Sequence, residues 1–398
     1  MRIAFVGPFG LRPKGTMAVR ALPLARALIA RGHAVRMILP PWDYPQDAGY
    51  RTQDAGVEIE NIELPTGVPG LFHLNTTRRL VGRALDFQLD VIHCFKPKAY
   101  AGLAAWWLWQ LKRMGRVKAR LIVDTDDWEG AGGWNDFSYQ SSGVSGQYSW
   151  AQKKMFAWQE RWGLTHNDGV TVASKALQSI VWSLGAKPDR VCYVPNGCRE
   201  MPTVLRPAAI SHQPATVLLY TRFFEFKIER VLAVLRCVVD QLPEAKLIVV
   251  GKGFNGEETR LLTQAETIGL RASIEYAGWI EAAALPEYFA QASVALFPFD
   301  DTLINRTKCS VKLIDLLSSG VPVVADAVGQ NAEYIRHNET GLLVPSGDTA
   351  AMARAVIDLL RDREKADRLG TQAAQDVIER FSWDRLVLDV ERVYGVEA

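Results

Sequence analysis

The stretch NRTKCSVKLIDLLSSGVPVVA, Asn305–Ala325, decides the reading of this chain. Its first residues are polar and cationic, as in a loop. An apolar periodicity then predicts a helix opening at about Ser310 and ending at Gly320, and a buried strand begins at Val321. A helix start leaves backbone N–H groups without intrahelical partners and so favours an anion. Ser310 is a good N-cap, Val311 is the first helical residue, and Lys308 and Lys312 flank the terminus. Asp315 lies about one and a half turns in, where its carboxylate could reach a ribose. Together these residues describe a site for a nucleoside diphosphate.

Upstream, YTRFFEFKIERV, Tyr220–Val231, places Arg222 and Lys227 on a loop between an apolar strand, Val217–Tyr220, and a helix beginning near Ile228. In parallel sheets ligands bind beyond the carboxyl ends of the strands. Arg presents a planar fork to phosphate oxygens and Lys a mobile point charge. Between the two stretches, LIVVGKG ends a buried strand in glycines at Gly251 and Gly253, and YAGWIE carries Gly278, Trp279 and Ile280.

These residues resemble, in order, the donor half of retaining glycosyltransferases of the GT-B fold, in particular glycosyltransferase family 4. Val194-Pro195-Asn196-Gly197 is similar to the family's turn between domains. Arg222 and Lys227 resemble its G-R-L-x-x-x-K-G loop, Gly278-Trp279-Ile280 its base-holding turn, and Asp315 the second acidic position of its E-x7-E region. The first acidic position is Thr307, a departure from the pattern. The resemblance implies an α/β chain of two Rossmann-like doubly wound domains facing each other across a cleft. It also implies transfer of a sugar from a UDP- or GDP-sugar to a hydroxyl with retention, no metal or other cofactor, and Arg222 and Lys227 countering charge on the leaving diphosphate. Gly253, Trp279, Ile280, Lys308, Ser310, Val311, Lys312 and Asp315 would bind the donor.

Composition agrees with an ordinary two-domain protein. The chain has 398 residues, 48% hydrophobic, with a formal net charge of +2. That near-neutrality argues against nucleic acid as the main partner. Its five cysteines form no C-x-x-C pair, and no His-rich tract completes a zinc site. MRIAFVGPFG reads as a strand and loop rather than a signal peptide, and no apolar run reaches the roughly 18 to 20 residues of a membrane span. A cytoplasmic protein is expected, with peripheral contact at the inner membrane surface left open.

Apolar runs at Ile3–Val6, Ala34–Leu39, Val91–His93, Leu121–Asp124 and Gly169–Val172 alternate with helical patterns, which favours a parallel sheet covered on both faces. The Pro-containing segment 201–215 reads as a linker. The expected division is an acceptor-binding domain at 1–200, a donor-binding domain at 201–380, and a terminal helix at 381–398. In GT-B proteins that helix packs back across the first domain, and Leu386, Leu388, Val390 and Val393 give it an apolar face.

In the first half, Gly15 and Thr16 open the helix after the first strand. The resemblance lets the donor's diphosphate approach there, although an ordinary strand-to-helix turn reads the same way. His93, ending a buried strand, is expected to be a core residue, since Phe95 stands where many family members carry a second histidine. Lys96 and Lys98 either meet an anionic group or are solvated. Asp126, Asp127 and Glu129, with Trp128 among them, emerge beyond another buried strand and are expected to bind acceptor hydroxyls; a metal site and a helix cap are the rival readings.

Beyond them lies an insertion rich in aromatics, from Trp134, Phe137 and Tyr139 to Trp158 and Trp162, that could shape the acceptor site. Its run SSGVSGQ is expected to act as a lid. Tryptophans at 106, 107 and 109, followed by Lys112, Arg113 and Arg116, fit either a buried helix with a solvated end or an interfacial segment for a lipid-linked acceptor. Two other classes fit the same cleft: a sugar-nucleotide epimerase, and a non-catalytic protein that binds a nucleotide sugar. A polysaccharide phosphorylase would need a pyridoxal phosphate lysine, for which no motif is present.

Overall fold

The computed structural model describes residues 1–12, 15–66, 69–137, 140–141, 144–145, 148–198 and 215–396. The expected linker lies outside these residues except for Ala215, as do Tyr139 and most of the glycine–serine run. Two large sheets account for the architecture. The first runs Val191–Tyr193, Gly169–Val172, Arg120–Thr125, Val91–Phe95, Arg2–Val6, Ala34–Leu39 and Val57–Asn61, all parallel, and ends on the antiparallel edge strand Arg51–Asp54. The second is parallel throughout, in the order Ile274–Gly278, Lys246–Val250, Thr216–Tyr220, Val294–Phe297, Val323–Asp326, Leu342–Val344.

The apolar runs form strands because each is buried on both faces. On the first sheet, Ala4, Val6, Ile92 and Val123 meet the helices Pro69–Leu85, Ala99–Arg113 and Lys175–Ser183, while Ile3, Phe5 and Ile122 meet Leu22–Ala30 and Trp383–Tyr394. The last helix buries Trp383, Leu386, Val387, Val390 and Tyr394. Leu388 and Val393, expected on that face, are only half-buried beside it. Periodicity gave the helix, but its stripe is rotated by about one residue toward Val387 and Tyr394, whose hydroxyl bonds His93 Nδ1 at 2.8 Å.

The strands Arg51–Asp54 and Val57–Asn61 have no counterpart in the sequence reading. Their polar alternation resembles a loop, and the turn joining them uses Ala55 and Gly56 at φ 46° and 87°. Two positive φ values match the twist of a tight hairpin, but Ala is an unusual residue to supply the first.

Each sheet reverses its strand order next to its central strand, which leaves a crevice at the carboxyl ends. In the first sheet the crevice lies between Arg2–Val6 and Val91–Phe95, and in the second between Thr216–Tyr220 and Val294–Phe297. The two halves meet through buried polar contacts. Gln330 Nε2 donates to Ala173 O at 2.6 Å, Ser174 Oγ to Thr307 O at 2.9 Å, and the Tyr334 hydroxyl to Asn196 O at 3.0 Å. Asn196 N–H reaches Cys309 Sγ, and Gly197 lies so near Trp383 that a Cβ there would stand 2.7 Å from its ring.

Candidate active site

The loops 221–227 and 298–310 leave the two strands that bound the second crevice, so chain topology alone brings them together. Helix Val311–Ser318 follows, held by the buried Leu313, Ile314, Leu316 and Leu317. Between the loops stands Glu225, a residue the spacing arguments passed over. It is 3% exposed. Lys308 Nζ donates to its Oε1 at 2.6 Å, and Lys312 Nζ lies 3.8 Å from the same oxygen. Its Oε2 accepts from Thr221 Oγ1 at 3.2 Å and from the Arg222 N–H at 3.3 Å. Its carbonyl accepts from Asp300 N at 2.8 Å and Asn305 Nδ2 at 2.7 Å, which ties the second loop to the first.

Burial opposes charge on Glu225, but Lys308 and Lys312 outweigh it and hold the carboxyl at about 2. Burial also draws Lys312 down to about 7, against the pull of Glu225 and with Lys308 and Arg222 adding to the fall. Three cations, Arg222, Lys308 and Lys312, thus lie around one buried carboxylate. Lys227 is exposed at the start of helix Ile228–Gln241. The Arg222 guanidinium lies over the Phe254 ring at 4.3 Å and the exposed Trp279 ring at 5.3 Å, and among the described residues it forms no ion pair. Ile280 is half-buried beside Trp279 against the second half's core.

Ser310 precedes Val311 as the N-cap, but its hydroxyl makes no capping bond. It is buried without a hydrogen-bond partner among the described residues, while its N–H donates to Gln330 Oε1 at 3.2 Å. Asp315 is buried in the helix, and its charge supports the Lys312 ammonium. Thr307 is buried and turned away, its hydroxyl donating to Leu303 O at 2.8 Å. Gly253 differs from the expectation of an open phosphate-binding backbone. Its N–H donates to Glu258 Oε2 at 3.1 Å, and a Cβ would stand 2.2 Å from Glu257 Oε2. Two carboxylates at this turn repel a phosphate. Gly251 is the glycine that geometry demands, with φ 130° and Thr221 O 1.9 Å from any Cβ.

On the first half, Lys96 and Lys98 neither await an anion nor lie in solvent. Lys96 Nζ is 2.9 Å from Asp127 Oδ2 and 3.3 Å from Asp126 Oδ1, and Lys98 Nζ is 2.6 Å from Glu129 Oε2. Burial raises the Asp127 carboxyl above its ordinary range. It acts the same way on Asp126, but Lys96 and Arg20 prevail and hold that carboxyl below. The Thr16 hydroxyl donates to Asp126 Oδ2 at 2.9 Å, which places it with the carboxylates rather than with a phosphate. Gly15 is exposed, and a Cβ there would touch only Val19 methyls, so nothing in the protein requires its small size.

Trp128, expected among acceptor contacts, is buried in the core under this loop. Its indole donates to Ala131 O at 3.0 Å and closes over Gly130 and Gly133. His93 is a core residue, bound at its other nitrogen by Thr171 Oγ1 at 3.1 Å. Glu160, also unanticipated, accepts the Glu129 N–H at 2.9 Å, and burial raises it to about 8.

The insertion reaches across to the second half. Trp134 and Phe137 lie 5.0 and 5.5 Å from the Phe224 ring, and Phe137 lies 6.1 Å from Phe254. Lys308 Nζ stands 4.4 Å over Phe224. Aromatics of both halves therefore wall the cleft beside the cations, where stacking and cation–π contacts stabilise them.

Comparison with known proteins agrees with this architecture. Residues 15–197 match the Glycosyl transferase 4-like domain and residues 215–362 the Glycosyl transferases group 1 family. The chain is 25% identical to a phosphatidyl-myo-inositol mannosyltransferase of Mycobacterium leprae over all of this chain and 97% of that one. Its fold resembles sucrose-phosphate synthase from Thermosynechococcus elongatus, with a TM-score of 0.71 and 20% identity over 99% and 98% of the two chains. It also resembles Anabaena HepE in complex with UDP and glucose, with a TM-score of 0.69 and 16% identity over 99% of each. With both halves matched and two doubly wound sheets in one chain, the chain belongs to the GT-B glycosyltransferases of family 4.

Proposed function

We propose that the protein moves a sugar from a UDP- or GDP-sugar to a hydroxyl acceptor, with retention of configuration and without a divalent cation. The observation that carries this reading is the set of cations at the second crevice. Lys308 and Lys312 share the Glu225 carboxylate, Arg222 lies close to it, and Lys227 stands exposed at the start of the next helix, a set of cations suited to a diphosphate. Preorganised charge of this kind opposes the charge developing on a leaving group, the task a metal performs elsewhere. Ser310 and the N–H groups at Val311 would add neutral donors to the phosphates, Asp315 would hold the ribose, and Trp279 and Ile280 would border the base. We assign the donor to residues 201–380, the acceptor to residues 1–200, and coupling of the halves to the helix within 381–398.

On the acceptor side, Asp126, Asp127 and Glu129 would accept hydrogen bonds from hydroxyls. Lys96 and Lys98 already pair with them and offset most of their charge, which favours a neutral polyol over a metal ion. A lipid-linked acceptor fits the outer surface. Trp106, Met114, Trp150 and Trp158 are exposed, and Arg113, Arg116 and Lys154 are exposed near them in sequence. The mycobacterial relative, named for a phosphatidyl-inositol acceptor, points the same way. No helix among the described residues is long and apolar enough to cross a membrane.

The reading is tested by incubating the protein with UDP- and GDP-sugars and vesicles bearing glycolipid precursors, then determining the anomeric configuration of the product. An α-donor giving an α-linkage, at a rate unchanged by EDTA, is expected. An inverted linkage or loss of activity in EDTA would overturn the corresponding clause. Donor binding with no turnover on any acceptor would leave a nucleotide-sugar-binding protein, and release of free nucleotide only when acceptor is present would exclude an epimerase.

A pH dependence follows from Lys312. Burial lowers its amine to about 7. A bound diphosphate stabilises the ammonium, so binding takes up a proton above that value. Affinity is therefore full below pH 7 and falls as pH rises past it, by at most about tenfold per unit. Isothermal titration in buffers of different ionisation enthalpy should show this uptake at pH 8 and its loss in Lys312→Met.

A further inference from the structure

We propose that Glu225 is the positioning residue of the donor site, holding Lys308 and Lys312 in place while the site is empty and yielding part of that contact to the diphosphate when the donor arrives. The inference rests on the reading of this crevice as a diphosphate site.

Three features set Glu225 apart from a structural ion pair. Its carboxylate is shared by two lysines from different elements, Lys308 on the loop and Lys312 in the first turn of the helix. Its second oxygen anchors the backbone N–H of Arg222, the third cation of the site. Its carbonyl receives Asp300 N and Asn305 Nδ2 from the opposite loop, so one residue fixes both walls of the crevice. Thr307 offers no carboxylate that could share this work, since it is buried and bonded to its own helix.

Two mobile lysine side chains would otherwise repel one another and swing into solvent. A buried counter-ion fixes their nitrogens before substrate binds, so the ordering cost is met in folding rather than at the moment of reaction. The same carboxylate repels phosphate oxygens, and it therefore lowers affinity for the free nucleotide while improving alignment for transfer.

These opposite effects give the test. UDP and GDP are titrated against wild type, Glu225→Gln and Glu225→Asp at pH 6, and release of nucleotide from the sugar donor, with water or sugar as acceptor, is timed for each. Glu225→Gln keeps the shape and the contacts to Arg222 N and Thr221 but loses the charge. It should bind nucleotide about tenfold more tightly and turn over about 100-fold more slowly. Glu225→Asp keeps the charge but not the reach, and should bind like wild type yet remain slow. Urea midpoints of all three identify any loss of folding. Parallel weakening of binding and turnover in Glu225→Gln, or wild-type behaviour in both, would overturn the proposal while leaving the diphosphate site in place. Failure of wild type to bind any nucleotide would remove both.

Discussion

Replacing Arg222 by alanine is expected to slow glycosyl transfer about 100- to 1000-fold, the usual cost of removing one preorganised donor from a developing anion. The folded state should tolerate the change. The guanidinium rests over Phe254 and Trp279 and forms no ion pair among the described residues, so its loss strands no paired carboxylate. A half-buried guanidinium without an ion pair among the described residues, beside Lys308 and Lys312, is what a residue reserved for a ligand looks like. Arg222→Lys should recover only part of the rate, because a point charge replaces a planar fork. Nucleotide release rates and urea midpoints of the two variants separate this outcome from unfolding: activity should collapse with the midpoint unchanged.

The second large effect is on stability and concerns the strand that leads to Asp126, Asp127 and Glu129. Arg20 and Asp124 are both about 1% exposed and meet through two hydrogen bonds of 2.5 and 2.8 Å. Thr171 Oγ1 donates to the same carboxylate at 2.6 Å, and the third side of the guanidinium reaches Asn196 Oδ1 at 3.3 Å. Asp124→Ala leaves a buried arginine without its counter-ion and should cost about 3–5 kcal/mol, a large share of a typical folding free energy. Pairing it with Arg20→Met removes the stranded charge and should restore part of the loss. A double variant less stable than Asp124→Ala alone, by urea unfolding, would contradict this view of the pair. Because Asn196 belongs to the turn between the halves, the same variants report whether that turn depends on the pair.

The parallel sheets were legible in the sequence because their strands are continuous apolar runs separated by helical periodicity, and burial on both faces produces such runs. The hairpin 51–61 was not, since its edge strand is polar and its turn uses Ala55. Within the site, Arg222, Lys308, Ser310 and Lys312 could be found because each is placed by a strand end or a helix start, features with a sequence signature. Glu225 could not. Its partners lie 83 and 87 residues away, in a loop made adjacent only by the strand order of the sheet. One signal was available: a single acidic residue inside the apolar run Phe223-Phe224-Glu225-Phe226, where a carboxylate is unlikely to stay unless it is paired. Partners made across the fold are invisible to spacing for a second set of residues too. For Lys96, Lys98, Thr16 and Gly253, spacing reports where a residue lies, not which carboxylate it meets in the fold.

The most direct measurement is calorimetric titration of the purified protein with UDP, GDP and ADP and their sugar conjugates in EDTA, alongside Arg222→Ala and Lys308→Ala. Binding of one nucleotide by the wild type, lost or strongly weakened in both variants, is the expected result. Binding of none of them, or binding that survives both substitutions, would contradict a donor site at the second crevice.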